Sequence, residues 1–360
     1  MESRLPCDDS QYRERLAEAA RQTFVPTLPN NIPDNVDDLA RFPRAGEAAQ
    51  LLEKGIEQHQ RCQFFAARQS FQEALAIYAQ LGNRRGQGKA LSGMALTAYS
   101  LDNFPQAIKY SNKSLAIAKD IKDQRLEGQV LGILGNAYRH QGNHLKAIDY
   151  GQKSLTIMRQ LQDRLGEVTA LNNLGLAHKA LGDLPRAMAC QQQSLYVAQT
   201  LGLPELEERI LRNLSNSCYS IGDYAQAIDY YEQRFAIAQQ MGDRPLEGQI
   251  LGKLGNACLA LGDYIQGIYY IQQQLLKAQQ MGNRRLEQQA LGRLGKAYDA
   301  LDNYGQAVEY YEQRLSIAQA IGDRKAAKKA IASLKAAYYS QGNYTKAMEY
   351  HQKNLALTNP

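Results

Sequence analysis

Asparagine, lysine and arginine side chains recur along this 360-residue chain at positions that are 40 residues apart. Asparagine carries both hydrogen-bond donors and an acceptor, so it can bind the backbone of a peptide whatever that peptide's side chains are. Lysine and arginine form charge-assisted hydrogen bonds with carboxylates. These residue types therefore predict a surface that holds an extended, acidic polypeptide. Its predicted members are Asn136, Asn172, Asn173, Arg212, Asn213, Asn216, Lys253, Asn256, Arg293 and Lys296.

The same side chains also have a simpler interpretation, as the polar surface of helices. Asparagine is a mediocre helix former, so a merely solvated position would more readily hold Glu, Lys or Gln. A neighbouring position of the repeat holds Gly132, Gly252 and Gly292, which either leave room for a ligand or allow two helices to pack closely. The sequence leaves both of these choices open.

The spacing of these residues follows from an internal repeat. The segment 121–160 matches 281–320 when it is shifted, and the period holds from 81 to 360 through seven copies without insertion or deletion. A weaker eighth copy occupies 41–80. Fixed self-similarity of this length indicates a stacked array of one supersecondary unit. We therefore predict an all-α protein in which residues 41–360 form about eight helix-turn-helix repeats.

Each copy contains the signals for two helices. In 121–160, Asp123 is a predicted N-cap, because its short side chain can accept from the free N–H groups of the first turn. Leu131, Leu134 and Tyr138 follow at helical spacing and predict a buried face. Gly142 then supplies the left-handed residue that ends a helix. The first helix of each repeat is thus bounded at both ends.

Small residues recur at the predicted contact between the two helices of a repeat. Gly135 lies on the first helix and Ala147 on the second, and Gly175, Gly255 and Ala187 fill the same positions in later copies. Glycine inside a helix costs up to about 1 kcal/mol relative to alanine. Its recurrence therefore indicates a steric requirement, which close helix packing explains.

The strings LGILGNAYRHQGNHLKAIDY at 131–150 and LGKLGNACLALGDYIQGIYY at 251–270 resemble the tetratricopeptide repeat. The 40-residue unit is longer than usual and is similar to that of the Pins/LGN spindle-orientation adaptors and, more loosely, of the kinesin light chains. The resemblance covers residues 41–360. It implies a right-handed superhelical solenoid in which the first helices line a concave, peptide-binding groove.

Residues 1–40 lie outside the repeat. The segment 9–24 predicts a short helix, and VPTLPNNIP at 25–33 predicts an extended linker, because proline fixes φ and removes a donor. This N-terminal extension either caps the first repeat, folds back as a tether into the array or binds a partner, or is disordered. The sequence does not choose among these.

Composition and motifs exclude several classes of function. The net charge of +6 comes without a basic run or a base-stacking aromatic motif, so no nucleic-acid partner is predicted. No apolar run approaches the ~20 residues of a membrane span, and no leader is evident, so we expect a cytoplasmic protein without a membrane partner. No nucleophile–base pair, phosphate-binding loop or CxxC is present, so we predict no enzyme activity, no cofactor and no metal site.

The five cysteines are widely spread and odd in number, which is not typical of a disulfide framework. Cys218 and Cys258 occupy the repeat position that holds Tyr138, Tyr298 and Tyr338 in other copies. We therefore predict that both thiols are small core residues.

The function that these observations favour is a non-enzymatic scaffold or adaptor that binds an extended, acidic segment of another protein. A first alternative is a regulatory sensor, which binds a signalling peptide and controls a signalling or DNA-binding partner. A second is end-to-end self-association through the last repeat, where Met348, Leu355 and Leu357 are expected to be exposed. The basic first helix of that repeat, with Lys325, Lys328, Lys329 and Lys335, is either a second contact site or a solubilising surface.

Overall fold

The computed structural model describes residues 43–356, which form sixteen helices and no strand. The predicted N-terminal extension and the last four residues lie outside the described residues. In each repeat, an odd-numbered first helix is followed by an even-numbered second helix. The helices are α1 (Pro43–Gln60), α2 (Phe64–Gln80), α3 (Arg84–Ser100), α4 (Phe104–Asp120), α5 (Gln124–His140), α6 (His144–Gln160), α7 (Arg164–Leu181), α8 (Leu184–Leu201), α9 (Pro204–Ser220), α10 (Tyr224–Gln240), α11 (Arg244–Leu261), α12 (Tyr264–Gln280), α13 (Arg284–Asp299), α14 (Tyr304–Ala320), α15 (Arg324–Ser340) and α16 (Tyr344–Ala356).

The predicted caps set the ends of these helices. The Asp123 side chain accepts a hydrogen bond from the backbone N–H of Leu126 at 3.0 Å, which satisfies one donor of the first turn of α5. After α5, Gly142 adopts a φ of 77°, in the left-handed region. Both predictions made for this repeat are confirmed. None of the helices in residues 43–356 has the length and apolar character needed to cross a bilayer.

The chain divides into two compact units, Met1–Leu206 and Glu207–Pro360. Unit 1 contains α1–α8. Unit 2 contains α10–α16 and all of α9 except its first residues. Within each unit, the two helices of a repeat pack against each other, and a first helix also packs on the second helix of the preceding repeat. Repeated helix-turn-helix packing of this kind is the predicted all-α architecture.

Glycine allows the two helices of a repeat to approach closely. A Cβ atom added at Gly135 would lie 3.2 Å from the carbonyl oxygen of Ala147, and one at Gly175 would lie 3.0 Å from that of Ala187. Few real Cβ contacts are so short, so the predicted steric requirement is confirmed. The core around it is apolar: Leu134 is fully buried, and so is the Cys218 thiol, as predicted.

A serine of the second helix binds the backbone of the first helix in three consecutive repeats of unit 1. The hydroxyl of Ser114 donates to the carbonyl oxygen of Gly88 at 2.7 Å, and Ser154 and Ser194 make the same bond to residues 26 positions earlier. All three serines are buried. Sequence reasoning missed this bond, although serine recurs there at 40-residue spacing.

Candidate peptide-binding surface

The first helices α11 and α13 of unit 2 each expose one narrow strip along their central turns. In α11, Lys253 is exposed and Asn256 is half-buried, whereas the residues on both sides of each, among them Leu251 and Leu254, are buried. We define the first-helix stripe as three positions of each first helix: those of Lys253 and Asn256, and the position one turn before Lys253. In α11 it consists of Gln249, Lys253 and Asn256, and the later helices supply the residues 40 and 80 positions further on. The stripe faces away from the neighbouring helices because those helices bury the rest of the surface.

The first-helix stripe of unit 2 contains cations and amides but no carboxylate. Each of α9, α11, α13 and α15 contributes at least one basic side chain to it. By contrast, the exposed side of the second helices of unit 2 carries acidic residues, including Glu232 and Glu309. The members of the stripe are Arg209, Asn213, Asn216, Gln249, Lys253, Asn256, Gln289, Arg293, Lys296, Lys329, Ser333 and Ala336.

The three predicted cations on α11 and α13 have no carboxylate partner among residues 43–356. Lys253 and Lys296 are exposed and form no ion pair there. Arg293 is half-buried, and its Nη1 donates to Oε1 of Gln274 at 2.9 Å. Burial lowers the pKa of Arg293 from its ordinary value, and the nearby Arg314 lowers it further. An anion bound at this stripe would therefore stabilise the charged guanidinium of Arg293.

The predicted asparagines of unit 2 differ in whether they already interact with other groups of the chain. Asn256 is half-buried and makes no hydrogen bond within the described residues. Oδ1 of Asn216 accepts from the hydroxyl of buried Tyr231 at 3.1 Å, so this side chain also has a structural role. Asn213 and Arg212 are half-buried and each interacts with other groups of the chain. Asn256 is thus the asparagine best placed to bind a ligand.

Two of the glycines beside the stripe are explained by packing. A Cβ atom at Gly252 would lie 2.5 Å from Nε2 of Gln274, and one at Gly292 would lie 2.8 Å from the guanidinium of Arg314. Side chains of the second helices therefore fill the space that these glycines leave. Helix packing thus explains Gly252 and Gly292. A Cβ atom at Gly132 would meet only Oγ of Ser154, at an ordinary distance of 3.6 Å, so packing does not require glycine there.

On α5 and α7 of unit 1 the equivalent positions are buried, except for the half-buried Leu176. Asn136 is 4% exposed and Asn173 is 6% exposed, and the adjacent Asn172 is buried as well. These three asparagines therefore present little accessible surface, and their part in a peptide-binding groove stays a prediction. One reason for the burial is apolar packing between neighbouring first helices, because Leu96 of α3 and Ile133 of α5 occupy stripe positions and contact each other.

The last repeat departs from the common pattern. Lys335 occupies the position that is glycine in Gly135 and its equivalents, and its Nζ lies 3.3 Å from Nδ1 of His351. The Met348 side chain is exposed, as expected. The side chains of Leu355 and Leu357 lie outside the described residues. Self-association through this repeat remains a prediction.

Across residues 43–356, no three His, Cys, Asp or Glu side chains come together as a metal site. Burial raises the pKa of the Cys218 and Cys258 thiols to about 11, so both are protonated at neutral pH and are poor nucleophiles.

Family models of the tetratricopeptide repeat match this chain over most of its length. The matched residues are 46–120, 126–200 and 168–240 for one model and 290–325 for a second. No curated protein matches the sequence.

Several solved structures share the fold at low sequence identity. A STAND signal-transduction ATPase with a tetratricopeptide repeat sensor from Pyrococcus horikoshii is 19% identical with a TM-score of 0.65, over 87% of this chain and 47% of that chain. This chain therefore spans about half the length of that relative. The quorum sensor NprR from B. thuringiensis is 15% identical with a TM-score of 0.54, over 98% and 94% of the two chains. Aspartyl phosphate phosphatase F from Bacillus subtilis is 14% identical with a TM-score of 0.52, over 100% and 96%.

Proposed function

Because this chain belongs to the tetratricopeptide repeat family, we propose that it is a non-catalytic adaptor that binds an extended, acidic segment of another protein. The proposed docking surface is the first-helix stripe of unit 2, with Lys253, Asn256, Arg293 and Lys296 as its main contacts. The resemblance of the repeat strings to the Pins/LGN-type adaptors points to the same role.

The observation that carries the proposal is a row of cations and amides that lacks carboxylates. Lys253 and Arg293 occupy one position of the repeat, and Asn256 and Lys296 the next position along the helix. An amide can pair with both the N–H and the C=O of a peptide backbone, whereas the cations favour Asp, Glu or a chain terminus. Backbone binding gives affinity, and the cations select for acidic sequences.

The free energy of ordering the peptide determines how many contacts binding requires. Ordering a flexible peptide costs on the order of 2–5 kcal/mol. One hydrogen bond to a charged group returns about 1.5–3 kcal/mol, and one between neutral groups about 0.5–1.5 kcal/mol. Binding therefore requires contacts on more than one repeat. With first helices about 10 Å apart and an extended chain that rises about 3.3 Å per residue, two helical steps correspond to roughly six residues of ligand.

The direct test is charge reversal on the stripe. We expect the double substitution Lys253→Glu and Lys296→Glu to weaken the binding of fluorescein-labelled acidic decapeptides by at least about tenfold, since two charge-assisted contacts become repulsive. Fluorescence anisotropy measures the affinity, and added salt should weaken binding of the unsubstituted protein.

The matched control is Lys113→Glu, which reverses an exposed lysine on the second helix of a unit 1 repeat. It should leave the affinity unchanged. Equal affinities for the double variant and the unsubstituted protein, with the same circular dichroism spectrum, would remove the stripe of unit 2 as the docking surface.

A regulatory peptide sensor is the second candidate. Two of the structural relatives, the STAND ATPase with its repeat sensor and the quorum sensor NprR, are sensors, and a sensor would use the same stripe. It differs from an adaptor because its peptide must change the shape of the array. Small-angle scattering separates the two: an adaptor keeps its radius of gyration when an acidic peptide saturates it, whereas a sensor changes it.

A further inference from the structure

Arg314 on α14 is a half-buried cation that forms no hydrogen bond and no ion pair with any of the described residues. Its Nε atom is buried and has no partner there. Tyr311 and Asp323 attract its charge, but neither is in ion-pair or hydrogen-bond contact with it. Arginine stays charged in proteins and has five N–H donors, and buried donors are almost always paired. The Arg314 guanidinium can therefore still bind an anion.

The repeat two copies earlier shows which group is missing beside Arg314. There Arg234, at the same position of the repeat, donates to the carboxylate of Glu208 at 2.7 Å. Eighty residues after Glu208 the chain has Gln288, which is neutral. Nε2 of Gln288 donates to Oδ2 of Asp323 at 3.0 Å, and its Oε1 has no partner among the described residues. The carboxylate that balances the arginine in one repeat is thus an amide in the other.

A second arginine that lacks a carboxylate partner lies close to the first. A Cβ atom at Gly292 would lie 2.8 Å from Cζ and from Nη1 of Arg314, so this guanidinium packs on α13 at the residue before Arg293. Burial lowers the pKa of Arg293, and the charge of Arg314 lowers it further. The one hydrogen bond that Arg293 makes within residues 43–356 goes to Gln274. We call Arg293 and Arg314 the arginine pair.

The charge and shape of the arginine pair fit a phosphate group better than a carboxylate. A phosphorylated serine or threonine carries about −1.5 to −2 charges at neutral pH and has three acceptor oxygens. One such group can therefore balance both cations and accept hydrogen bonds from both. A carboxylate has a single charge and leaves one of the two cations unbalanced. The planar fork of a guanidinium also matches the geometry of phosphate oxygens.

We propose that the arginine pair binds the phosphate group of a phosphorylated serine or threonine in the segment that unit 2 holds. This inference rests on the proposed function, because the phosphorylated residue is one of the anionic residues of that segment. Lys253 and Lys296, which belong to the same stripe, bind the acidic residues that flank it. Gly292 is required in this arrangement because a side chain there would displace the guanidinium of Arg314.

Matched peptides test the preference for phosphate. Fluorescence anisotropy of the full-length protein is measured with an acidic decapeptide that has phosphoserine, aspartate or serine at its central position. We expect the phosphoserine peptide to bind at least about tenfold more tightly than the aspartate peptide. Equal affinities of these two peptides would overturn the phosphate site and leave the proposed function intact. Failure of all three peptides to bind would overturn both.

Removing one guanidinium tests the arginine pair itself. Arg314→Met should weaken binding of the phosphoserine peptide at least about tenfold, and binding of the aspartate peptide by less than about threefold, because the stripe is unchanged. The matched control is Arg68→Met, which removes an exposed arginine from the second helix α2 in unit 1. It should change neither affinity. An unchanged affinity of Arg314→Met for the phosphoserine peptide would contradict the proposal.

The Nε–H group of Arg314 gives a readout in the unsubstituted protein, so the test does not depend on the folding of Arg314→Met. In ¹⁵N NMR spectra its signal is assigned by its loss in Arg314→Lys, which keeps the charge. We expect the phosphoserine peptide to shift this signal and the serine peptide to leave it in place. Equal shifts with the two peptides would contradict the proposal.

Competition distinguishes a phosphorylated segment from a free anion. Inorganic phosphate makes no contact with Lys253 or Lys296, so we expect it to compete with the labelled peptide at least about a hundredfold more weakly than the unlabelled phosphoserine peptide does. Competition of equal strength would assign the arginine pair to a small free anion. It would overturn the proposal while leaving the affinity of the stripe for acidic peptides as a separate question.

Discussion

At the scale of single residues, one position of the repeat shows how the same location can serve different interactions. In unit 1 it holds Ser114 and its equivalents, which bind a backbone carbonyl of the first helix. In the first repeat of unit 2 it holds Arg234, whose Nε donates to Oε1 of Glu208 at 2.7 Å. Both side chains are almost entirely buried, at 7% and 11% exposure. A neutral hydrogen bond has been replaced by a buried ion pair.

This pair leads to a prediction for stability. Arg234→Met leaves the Glu208 carboxylate buried without its partner, so we expect a loss of about 3–5 kcal/mol. The matched control is Arg61→Met, because Arg61 pairs with Glu57 at 2.6 Å and both side chains are more than half exposed. An exposed pair contributes about 0–1 kcal/mol. Urea denaturation followed by circular dichroism measures both, and equal losses would contradict the burial argument.

At the scale of helices, the turns between them explain why glycine recurs after most helices. Most turns place glycine at the left-handed residue, as at Gly142 and Gly242. In the described residues, five turns place a residue with a Cβ atom there instead. These residues have φ values between 54° and 59° and are Cys62, Asp102, Lys122, Gln162 and Asp302. A left-handed backbone costs roughly 1–2 kcal/mol for a residue with a Cβ atom. The fold tolerates this cost because packing holds the helices on either side.

The turn after α6 tests that explanation. We expect Gln162→Gly to stabilise the protein by about 0.5–1 kcal/mol, since the gain in the folded state exceeds the flexibility that glycine adds to the unfolded chain. Gly242→Gln is the reciprocal change, and it should destabilise by a similar amount. A Cβ atom at Gly242 would meet no atom within 4 Å, so only the backbone conformation is tested. Thermal midpoints that move in the same direction for both variants would contradict this account.

At the scale of the whole chain, the two units present different first-helix surfaces although they are built from the same repeat. On α5 and α7, unit 1 buries uncharged stripe residues such as Asn136 and Asn173, whereas unit 2 exposes a cationic stripe with Lys253 and Lys296. A partner that is acidic therefore has one suitable stripe among the described residues. The specificity proposed here depends on that difference and not on the repeat itself.

Much of this fold was predictable from the sequence because its signals are local. The cap at Asp123, the turn at Gly142 and the close helix contact at Gly135 each depend on residues within one repeat. Whether each binding position is buried or exposed could not be predicted in this way. Asn136 and Asn256 occupy the same position of the repeat, yet one is buried and the other is half-buried.

The reason for that failure lies in the neighbouring repeats. The repeat frame determines in which direction a side chain points, but the residues on adjacent first helices determine whether it is covered. Leu96 and Ile133 contact each other across two repeats of unit 1, whereas Lys253 and Arg293 occupy stripe positions of adjacent helices in unit 2. A comparison of charge and hydrophobicity at each stripe position, copy by copy, would have separated the two units in advance.

The most direct test of the central claim is a map of where an acidic peptide binds on the full-length protein. We predict that saturating amounts of an acidic decapeptide shift the side-chain amide NMR signals of Asn256 and Gln289, on adjacent first helices of unit 2. The signal of Gln152, on a second helix of unit 1, should not move. Shifts confined to the second helices or to unit 1, with Asn256 and Gln289 unaffected, would contradict the account.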